Sequence, residues 1–268
     1  MPRPQTASAD REGLSRSTQG AVAIIPARLH STRLPEKALQ DLGGAPLILR
    51  VLERVREASC LRDVWVATDS ERIAEAVRGA GGQALMTRAD HASGLDRVAE
   101  AVRILSDAPT SDSDAVFVNV QGDEPFVSPA GLDHLVRLFE SPDVVMGTLA
   151  ALFPAWASPE DPNKVKLVRD GANRALYFSR SPIPSGVDPG APRLLHVGVY
   201  AYRRRTLLEL ARMEPAPLER AERLEQLRAL SNGIPIHVAV GDYESVGIDT
   251  PEDLDRARAL WGEGRSRS

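Results

Sequence analysis

The strongest constraint on the fold is a regular alternation of short apolar runs, typical of β-strands, with amphipathic stretches, typical of helices. The predicted strands of the first half are Ala21–Pro26, Asp63–Thr68, Ala84–Met86, Asp114–Val120 and Val144–Leu149. The predicted helices between them are Pro46–Ala58, Glu71–Gly79, Asp96–Leu105 and Ala130–Phe139. Strands that are apolar on both sides and alternate with helices predict an α/β fold, in which a mostly parallel sheet has helices on both faces.

The pattern changes after Ala150. The runs Asn163–Arg169 and Arg174–Phe178 flank the turn Asp170–Gly171, which predicts a hairpin. The remaining predicted elements are a strand at His196–Tyr202, helices at Thr206–Met213 and Leu218–Leu230, a strand at Pro235–Val240 and a final helix from Pro251. We therefore expect one domain, residues 21–261, that contains an inserted antiparallel part. Residues 1–20 are expected to form a disordered extension and residues 262–268 a flexible tail.

Composition narrows the class of protein. The chain has 268 residues and a net charge of −4, which argues against a general nucleic-acid-binding protein. Its single cysteine cannot form an internal disulfide. No apolar run approaches the roughly 18 residues of a membrane span, and the first residues lack the apolar stretch of a secretory signal. A cytoplasmic enzyme is the expectation.

Among 33 basic residues only Lys37, Lys164 and Lys166 are lysines, so their positions are of interest.

The loop after the first strand, Ile25–Lys37, carries three cations, Arg28, Arg33 and Lys37. It leaves the carboxyl end of that strand, the edge at which ligands bind in open α/β sheets. These cations could surround a polyphosphate, although a solvated basic loop is the alternative. Neither the Walker A spacing nor the dinucleotide glycine fingerprint is present, so a nicotinamide-dependent oxidoreductase is disfavoured.

Two acidic segments are candidates for binding a metal ion. Asp123 follows the clearest strand, within Asn119–Pro125, and is expected at the same edge as the cationic loop. Asp249 precedes the last helix, within Gly247–Asp253. Two carboxylates together with phosphate oxygens would suit Mg²⁺. The alternatives are a surface turn for the first segment and simple helix capping for the second.

Two further groups of polar residues stand out. In Arg88–Arg97, the pair Ser93 and Gly94 permits a close approach of the backbone to a ligand. The second half of the chain carries a scattered polar set, in which His196 and Tyr200 share a strand face by their even spacing. Ordinary surface positions are the alternative interpretation of this set. Its members are Arg180, His196, Tyr200, Glu225 and Gln226.

Taken together and in order, these segments resemble one family. The markers are IIPAR, STRLPEKAL, VATD, TRADHASG, NVQGDEP, YFSRSPIP, HVGVY, LERAERLEQLR and GIDTPEDL. From about Ala21 to Leu260 the chain resembles the 3-deoxy-manno-octulosonate (Kdo) cytidylyltransferases. The resemblance implies a Rossmann-like nucleotide-diphospho-sugar transferase fold, and a homodimer formed through the antiparallel part. It also implies that CMP passes from CTP to Kdo with Mg²⁺, releasing pyrophosphate and supplying CMP-Kdo for lipopolysaccharide biosynthesis.

The resemblance also implies roles for individual residues. Arg28, Lys37, Asp123 and Asp249 would be catalytic, and the two aspartates would bind Mg²⁺. The nucleotide would be bound by Ala27, Arg28, Lys37, Arg88, Ser93, Gly94 and Asp123. The sugar site would be lined by Gln121, Lys166, Arg180, His196, Tyr200, Glu225 and Gln226. Within that set, Arg180 is the candidate to bind the sugar carboxylate with two parallel hydrogen bonds.

One position departs from the family pattern. Leu95 stands where the family usually has threonine after Ser-Gly. The loss of this hydroxyl would either alter the nucleotide pocket or fill a gap behind it. Another acidic substrate, such as 8-amino-Kdo, sialic acid or a phosphonate, is therefore an alternative. A nucleotide-binding protein without catalytic activity is a hypothesis from a different class.

Overall fold

The computed structural model describes residues 20–105, 113–154, 157–185, 192–243 and 247–265. These residues form one mixed sheet flanked by helices. Its strands are β1 (Ala21–Ala27), β2 (Leu61–Thr68), β3 (Gln83–Met86), β4 (Val116–Asn119), β5 (Met146–Leu152), β6 (Lys166–Arg169), β7 (Ala175–Ser179), β8 (Leu194–Arg203) and β9 (His237–Val240). Its α-helices are α1 (Leu47–Arg56), α2 (Glu71–Gly79), α3 (Gly94–Leu105), α4 (Pro129–Arg137), α5 (Arg204–Leu210), α6 (Pro217–Glu222), α7 (Gln226–Ser231) and α8 (Pro251–Arg265).

The first half of the sheet is parallel, as predicted. The strand order is β3-β2-β1-β4-β8-β5-β9, and β1 pairs in parallel with both β2 and β4. Because side chains alternate along a strand, β1 directs Ala23 and Ile25 into one core cluster and Val22 and Ile24 into another. Helices α1, α2, α4 and α8 contribute to the first cluster, whereas α3, α5 and α7 contribute to the second. The prediction of helices on both faces is confirmed.

The second half adds antiparallel strands. β8 runs antiparallel to β4 and β5, and the hairpin β6–β7 joins the sheet through β8. The predicted hairpin is therefore present, although its first strand begins at Lys166 rather than Asn163. β9 returns parallel to β5. Because β8 runs antiparallel to β4, its residue Tyr200 lies opposite Asn119 at the carboxyl end of β4.

Two larger differences between prediction and structure concern helices. The single helix predicted at Leu218–Leu230 is interrupted, because Arg223 adopts a left-handed conformation (φ 55°) between α6 and α7. The guanidinium of Arg180 donates to the carbonyl oxygens of Glu222 (2.8 Å) and Arg223 (3.3 Å), which stabilises this break. The last helix continues to Arg265, four residues into the predicted flexible tail 262–268.

Residues 1–19 and 266–268 lie outside the described part of the chain. The disordered extension at residues 1–20 therefore stays a prediction. Within the described ranges, every helix is too short or too polar to cross a membrane.

Candidate active site

Two aspartates that are remote in sequence meet at one lysine. Lys37 Nζ lies 2.5 Å from Asp123 Oδ2 and 3.0 Å from Asp249 Oδ1, although the aspartates lie 86 and 212 residues further along the chain. Arg33 Nη2 also lies 3.0 Å from Asp249 Oδ1. The cationic loop after β1 and the two predicted acidic segments thus converge at the carboxyl edge of the sheet.

The electrostatics of this cluster favour the charged form of Lys37. Burial alone would lower the pKa of the Lys37 ammonium, but the attraction of Asp123 and Asp249 outweighs it and raises the pKa above its ordinary value. Two carboxylates this close to each other repel, and the Lys37 ammonium between them offsets that repulsion. In the part of the chain that the structure describes, no third His, Cys, Asp or Glu completes a protein-only metal site. A pair of carboxylates is what Mg²⁺ uses when substrate phosphates supply its other ligands.

The local backbone explains why these aspartates meet. A Cβ atom on Gly122 would lie 2.8 Å from the Pro26 carbonyl oxygen, so glycine allows the exit of β4 to approach the end of β1. The backbone N–H of Ile248 donates to the Asp123 carbonyl (3.0 Å), which brings the second acidic segment alongside. The two interpretations of that segment are compatible. Thr250 and Asp253 cap α8 through reciprocal hydrogen bonds, and Asp249 is left to contact Lys37.

Ser93 and Gly94 lie at the start of α3, next to the second-half residues. The Ser93 hydroxyl accepts a hydrogen bond from the Asp96 N–H (3.2 Å), and it also interacts with the Glu225 carboxylate. A Cβ atom on Gly94 would lie 3.4 Å from Gln121 Oε1. The predicted nucleotide motif and the predicted sugar-site residues therefore form one continuous surface.

Two polar groups of this surface have no hydrogen-bond partner among the described residues. Tyr200 Oη and Gln226 Nε2 are buried and make no hydrogen bond with any described residue. Buried polar groups are normally paired, so these two are candidates for a hydrogen bond with a bound ligand. The tightly surrounding protein raises the pKa of the Glu225 carboxyl by desolvation, against the attraction of Arg228. Burial lowers the pKa of His196 to about 3, so its imidazole is neutral.

Three comparisons place these residues among known proteins. A family model described as "Cytidylyltransferase" matches residues 22–237. A 3-deoxy-manno-octulosonate cytidylyltransferase of Geobacter sulfurreducens is 48% identical over 248 residues, which cover 87% of this chain and 96% of that protein. One of Myxococcus xanthus is 47% identical, over 89% of this chain and 95% of that protein.

The chain belongs to the 3-deoxy-manno-octulosonate cytidylyltransferase family.

Solved structures agree with this assignment. A CMP:2-keto-3-deoxy-manno-octonic acid synthetase complexed with CTP superposes with a TM-score of 0.84 at 40% identity. The match covers 92% of this chain and all of that one. A glucose-1-phosphate thymidylyltransferase from Bacillus anthracis has a TM-score of 0.63 at 15% identity, over 90% of this chain and 95% of that one, and shows the same fold. The predicted family, fold and enzyme class, a nucleotidyltransferase, are confirmed.

Leu95, the departure from the family pattern, lies in the core. Its side chain is 4% exposed and belongs to the cluster that contains Ile24, Ala67 and Val98. It therefore fills space in the core behind the start of α3. Of the two interpretations of this substitution, the structure favours the filled gap.

Two residues predicted to bind the sugar have their polar groups engaged by the backbone. Lys166 is fully buried, and its Nζ donates to the carbonyl oxygens of Asp161 (3.1 Å) and Arg180. The Arg180 guanidinium donates to the carbonyl of Pro162 (2.7 Å) as well as to those at the α6–α7 break. In this cytidylyltransferase both side chains join the segment before β6 to the segment after β7. Because the guanidinium nitrogens of Arg180 already donate to backbone carbonyls, they do not offer two free parallel N–H groups to a carboxylate.

The remaining nucleotide candidates border the loop after β1. Ala27 is the buried last residue of β1, and Arg28 beside it is exposed. Arg88 is exposed and pairs with Asp90 through Nε (2.9 Å) and Nη2 (2.7 Å). Arg88 therefore lies at the rim of the site and is not brought into contact with the Lys37 cluster.

Sequence reasoning missed a buried ion pair that supports this loop. Arg97 Nη2 lies 3.0 Å from Asp69 Oδ2, and Asp69 Oδ1 accepts a hydrogen bond from the Leu29 N–H at 3.3 Å. Arg97 Nη1 also donates to the Thr87 hydroxyl (2.7 Å). The sequence did offer one indication of this pair. Arg97 is a charged residue among the apolar residues of α3 that are buried.

Proposed function

We propose that the chain transfers CMP from CTP to Kdo and releases pyrophosphate. The observation that carries this proposal is the convergence of Lys37, Asp123 and Asp249 beside a surface with unpaired buried polar groups. The names of the relatives support the same reaction, and the structural neighbour was solved with CTP. The product would be CMP-Kdo for lipopolysaccharide biosynthesis.

Asp123 and Asp249 are proposed to bind Mg²⁺. Both carboxylates contact one ammonium nitrogen, so a cation already fits between them. A hard cation with oxygen ligands matches this pair, and triphosphate oxygens would supply further ligands. When bound, the ion would offset phosphate charge and acidify the attacking hydroxyl.

The chain's own residues are proposed to position the triphosphate. Arg28 and Lys37 would bind its oxygens, next to Ala27 at the end of β1. Arg88, Ser93 and Gly94 would border the cytidine. The anomeric oxygen of the sugar attacks the α-phosphorus in line. A new bond forms between the α-phosphorus and the sugar oxygen, the bond from the α-phosphorus to the oxygen that bridges to the β-phosphate breaks so that pyrophosphate leaves, and the hydroxyl proton passes to water. Such a transfer depends on positioning and on neutralising charge rather than on a covalent enzyme intermediate.

The acceptor is proposed to bind between β8 and α7. Tyr200 Oη and Gln226 Nε2 are donors that the described residues leave unpaired, and Glu225 and His196 offer acceptors beside them. Gln121 is proposed to line the same surface, where a Cβ atom on Gly94 would lie 3.4 Å from its Oε1. Lys166 and Arg180 are proposed to shape the site, and binding of the sugar carboxylate by Arg180 would require release of the Pro162 carbonyl.

We also propose a homodimer and a cytoplasmic location. Leu152 on β5 and Leu176 on β7 are 66% and 59% exposed, and both belong to the antiparallel part that the family resemblance associates with dimerisation. A partner that covers them would remove apolar surface from water. The location is proposed from the donor, since a structural relative was solved with the nucleoside triphosphate CTP.

The deciding experiment measures pyrophosphate release from CTP and Mg²⁺ with a panel of acids. Kdo is expected to give the highest kcat/KM, and 8-amino-Kdo, sialic acid and a phosphonate are the comparators. Asp123→Asn is expected to reduce turnover by at least about 100-fold, since it removes the charge of a proposed ligand of the ion that would neutralise the phosphates. Asp255→Asn, at an exposed position on α8, is the matched control. No release with any of the four acids would exclude the proposal, and preference for another acid would replace Kdo as the substrate.

A further inference from the structure

The two aromatic residues of the acceptor surface are brought together by a bulge in β8. Tyr200 pairs with Thr148 of β5, but the next pair is Val197 with Leu149, so Gly198 and Val199 lie between the two pairs. Four residues of a regular strand span about 13 Å. The ring centroids of His196 and Tyr200 are only 5.3 Å apart. The extra residues therefore fold the strand so that the two rings face the same site.

Thr148 stabilises this bulge. It is fully buried, and its Oγ1 donates to the carbonyl oxygen of Val199 at 2.8 Å. The carbonyl of Val197 lies 3.5 Å from the same hydroxyl. A bulge leaves backbone groups outside the regular ladder, and an unsatisfied buried carbonyl is costly. The Thr148 hydroxyl supplies the missing donor from the neighbouring strand.

The same hydroxyl contacts the imidazole of His196. Thr148 Oγ1 lies 3.1 Å from His196 Nε2. A hydroxyl has one hydrogen, and that hydrogen is directed to the Val199 carbonyl, so Oγ1 must accept from the ring. Nε2 therefore carries the proton of the neutral imidazole, and Nδ1 keeps a free lone pair. Nδ1 makes no hydrogen bond within the described chain, and the edge-to-face contact with Phe178 (5.1 Å) fixes the ring plane.

We propose that Thr148 is a positioning residue, which selects the Nε2–H tautomer of His196 so that Nδ1 accepts a hydrogen bond from a hydroxyl of the acceptor sugar. The inference rests on the proposed function for the identity of that acceptor. The selection of the tautomer is a property of the free protein. In this tautomer, Nδ1 of His196 can accept a hydrogen bond from a hydroxyl of the ligand. In the opposite tautomer, Nδ1 would carry the proton and would be a donor, like the hydroxyl of Tyr200 beside it.

The test compares Thr148→Val, which removes the hydroxyl at nearly constant volume, with Thr148→Ser, which keeps it. In ¹⁵N NMR spectra of histidine-labelled protein, the wild type and Thr148→Ser are expected to show the Nε2–H form of His196. Thr148→Val is expected to lose that preference. His196→Gln identifies the signals by their absence. Thr206→Val, another buried threonine, in α5, is the matched control and should leave the spectrum unchanged.

Kinetics tests the consequence for the acceptor. Thr148→Val is expected to raise KM for Kdo about tenfold, the equivalent of roughly 1.4 kcal/mol, while KM for CTP stays near its wild-type value. Thr148→Ser should restore the lower KM. Thr148→Ala serves as a second variant without the hydroxyl if Thr148→Val does not fold.

Two results would overturn the inference. One is an unchanged Nε2–H signal in the variants without the hydroxyl, and the other is a Thr148→Ser protein as impaired as Thr148→Val. Failure of the proposed function has a different signature. In that case the wild type would not turn over Kdo, which would remove the sugar as ligand, while the NMR comparison would still decide whether Thr148 sets the tautomer.

Discussion

At the scale of single residues, the site depends on which charges are held together. The aspartates were predictable from sequence because each follows or precedes a clear element at the same sheet edge. The contacts of Lys166 and Arg180 were not predictable, since their partners are backbone carbonyls whose positions are set by loops. Charge type and position can be read from sequence, whereas the competition between a backbone carbonyl and a substrate for one guanidinium cannot.

Replacing Lys37 with alanine is expected to impair use of CTP more than use of the sugar. The ammonium that would bind the triphosphate is lost, and two aspartates are left facing each other. We expect KM for CTP to rise at least about tenfold, because hydrogen bonds to charged groups contribute roughly 1.5–3 kcal/mol. Steady-state kinetics with each substrate varied in turn would measure this. A variant whose defect lies only in KM for Kdo would contradict the role.

Acid is expected to destabilise the fold partly through His196. The folded pKa is about 3 against an ordinary 6.5, so below pH 6.5 the unfolded chain binds a proton that the folded chain does not. This contribution to stability is present above pH 6.5 and is lost as the pH falls toward 3. Urea unfolding at pH 7 and pH 5 should show that His196→Gln loses less stability than the wild type, by roughly 1–2 kcal/mol. Equal losses would contradict the prediction.

At the scale of elements, strand positions followed from apolar runs, and their ends differ by only a few residues. The break between α6 and α7 was missed because the helical pattern of Leu218–Leu230 continues through it. The left-handed Arg223 is stabilised by Arg180, which comes from a distant part of the chain. The bulge in β8 was equally hidden, since register depends on the partner strand. Local patterns predict elements, but interruptions imposed by tertiary contacts need the structure.

The buried pair of Arg97 and Asp69 is expected to hold α3 against the ends of β2 and β3. Arg97→Leu leaves the Asp69 carboxylate buried without its partner, which should lower the free energy of unfolding by about 3 kcal/mol. Chemical denaturation would measure this, with Arg103→Leu, near the end of the same helix, as the control. A loss no larger than that of the control would show that the pair does not stabilise this junction.

At the scale of the whole molecule, the unexplained feature is the exposed apolar surface of the antiparallel part. If Leu176 lies in a dimer interface, Leu176→Asp should convert a particle of twice the 29.0 kDa chain mass into a monomer. Light scattering after size-exclusion chromatography would show the change. Leu260→Asp, at an exposed position on α8, should leave the mass unaltered. A wild-type protein that elutes only as a monomer would contradict the proposed dimer.

The tight crossing at Gly122 has a consequence for how this chain could lose its activity. An added methyl group would press on the Pro26 carbonyl and act as a wedge between two strand ends. Every reactive side chain would still be present, yet the acids and the cationic loop would no longer share one site. A variant at Gly122 could thus be inactive although it keeps every functional side chain. Checking only those side chains would not reveal the cause of the lost activity.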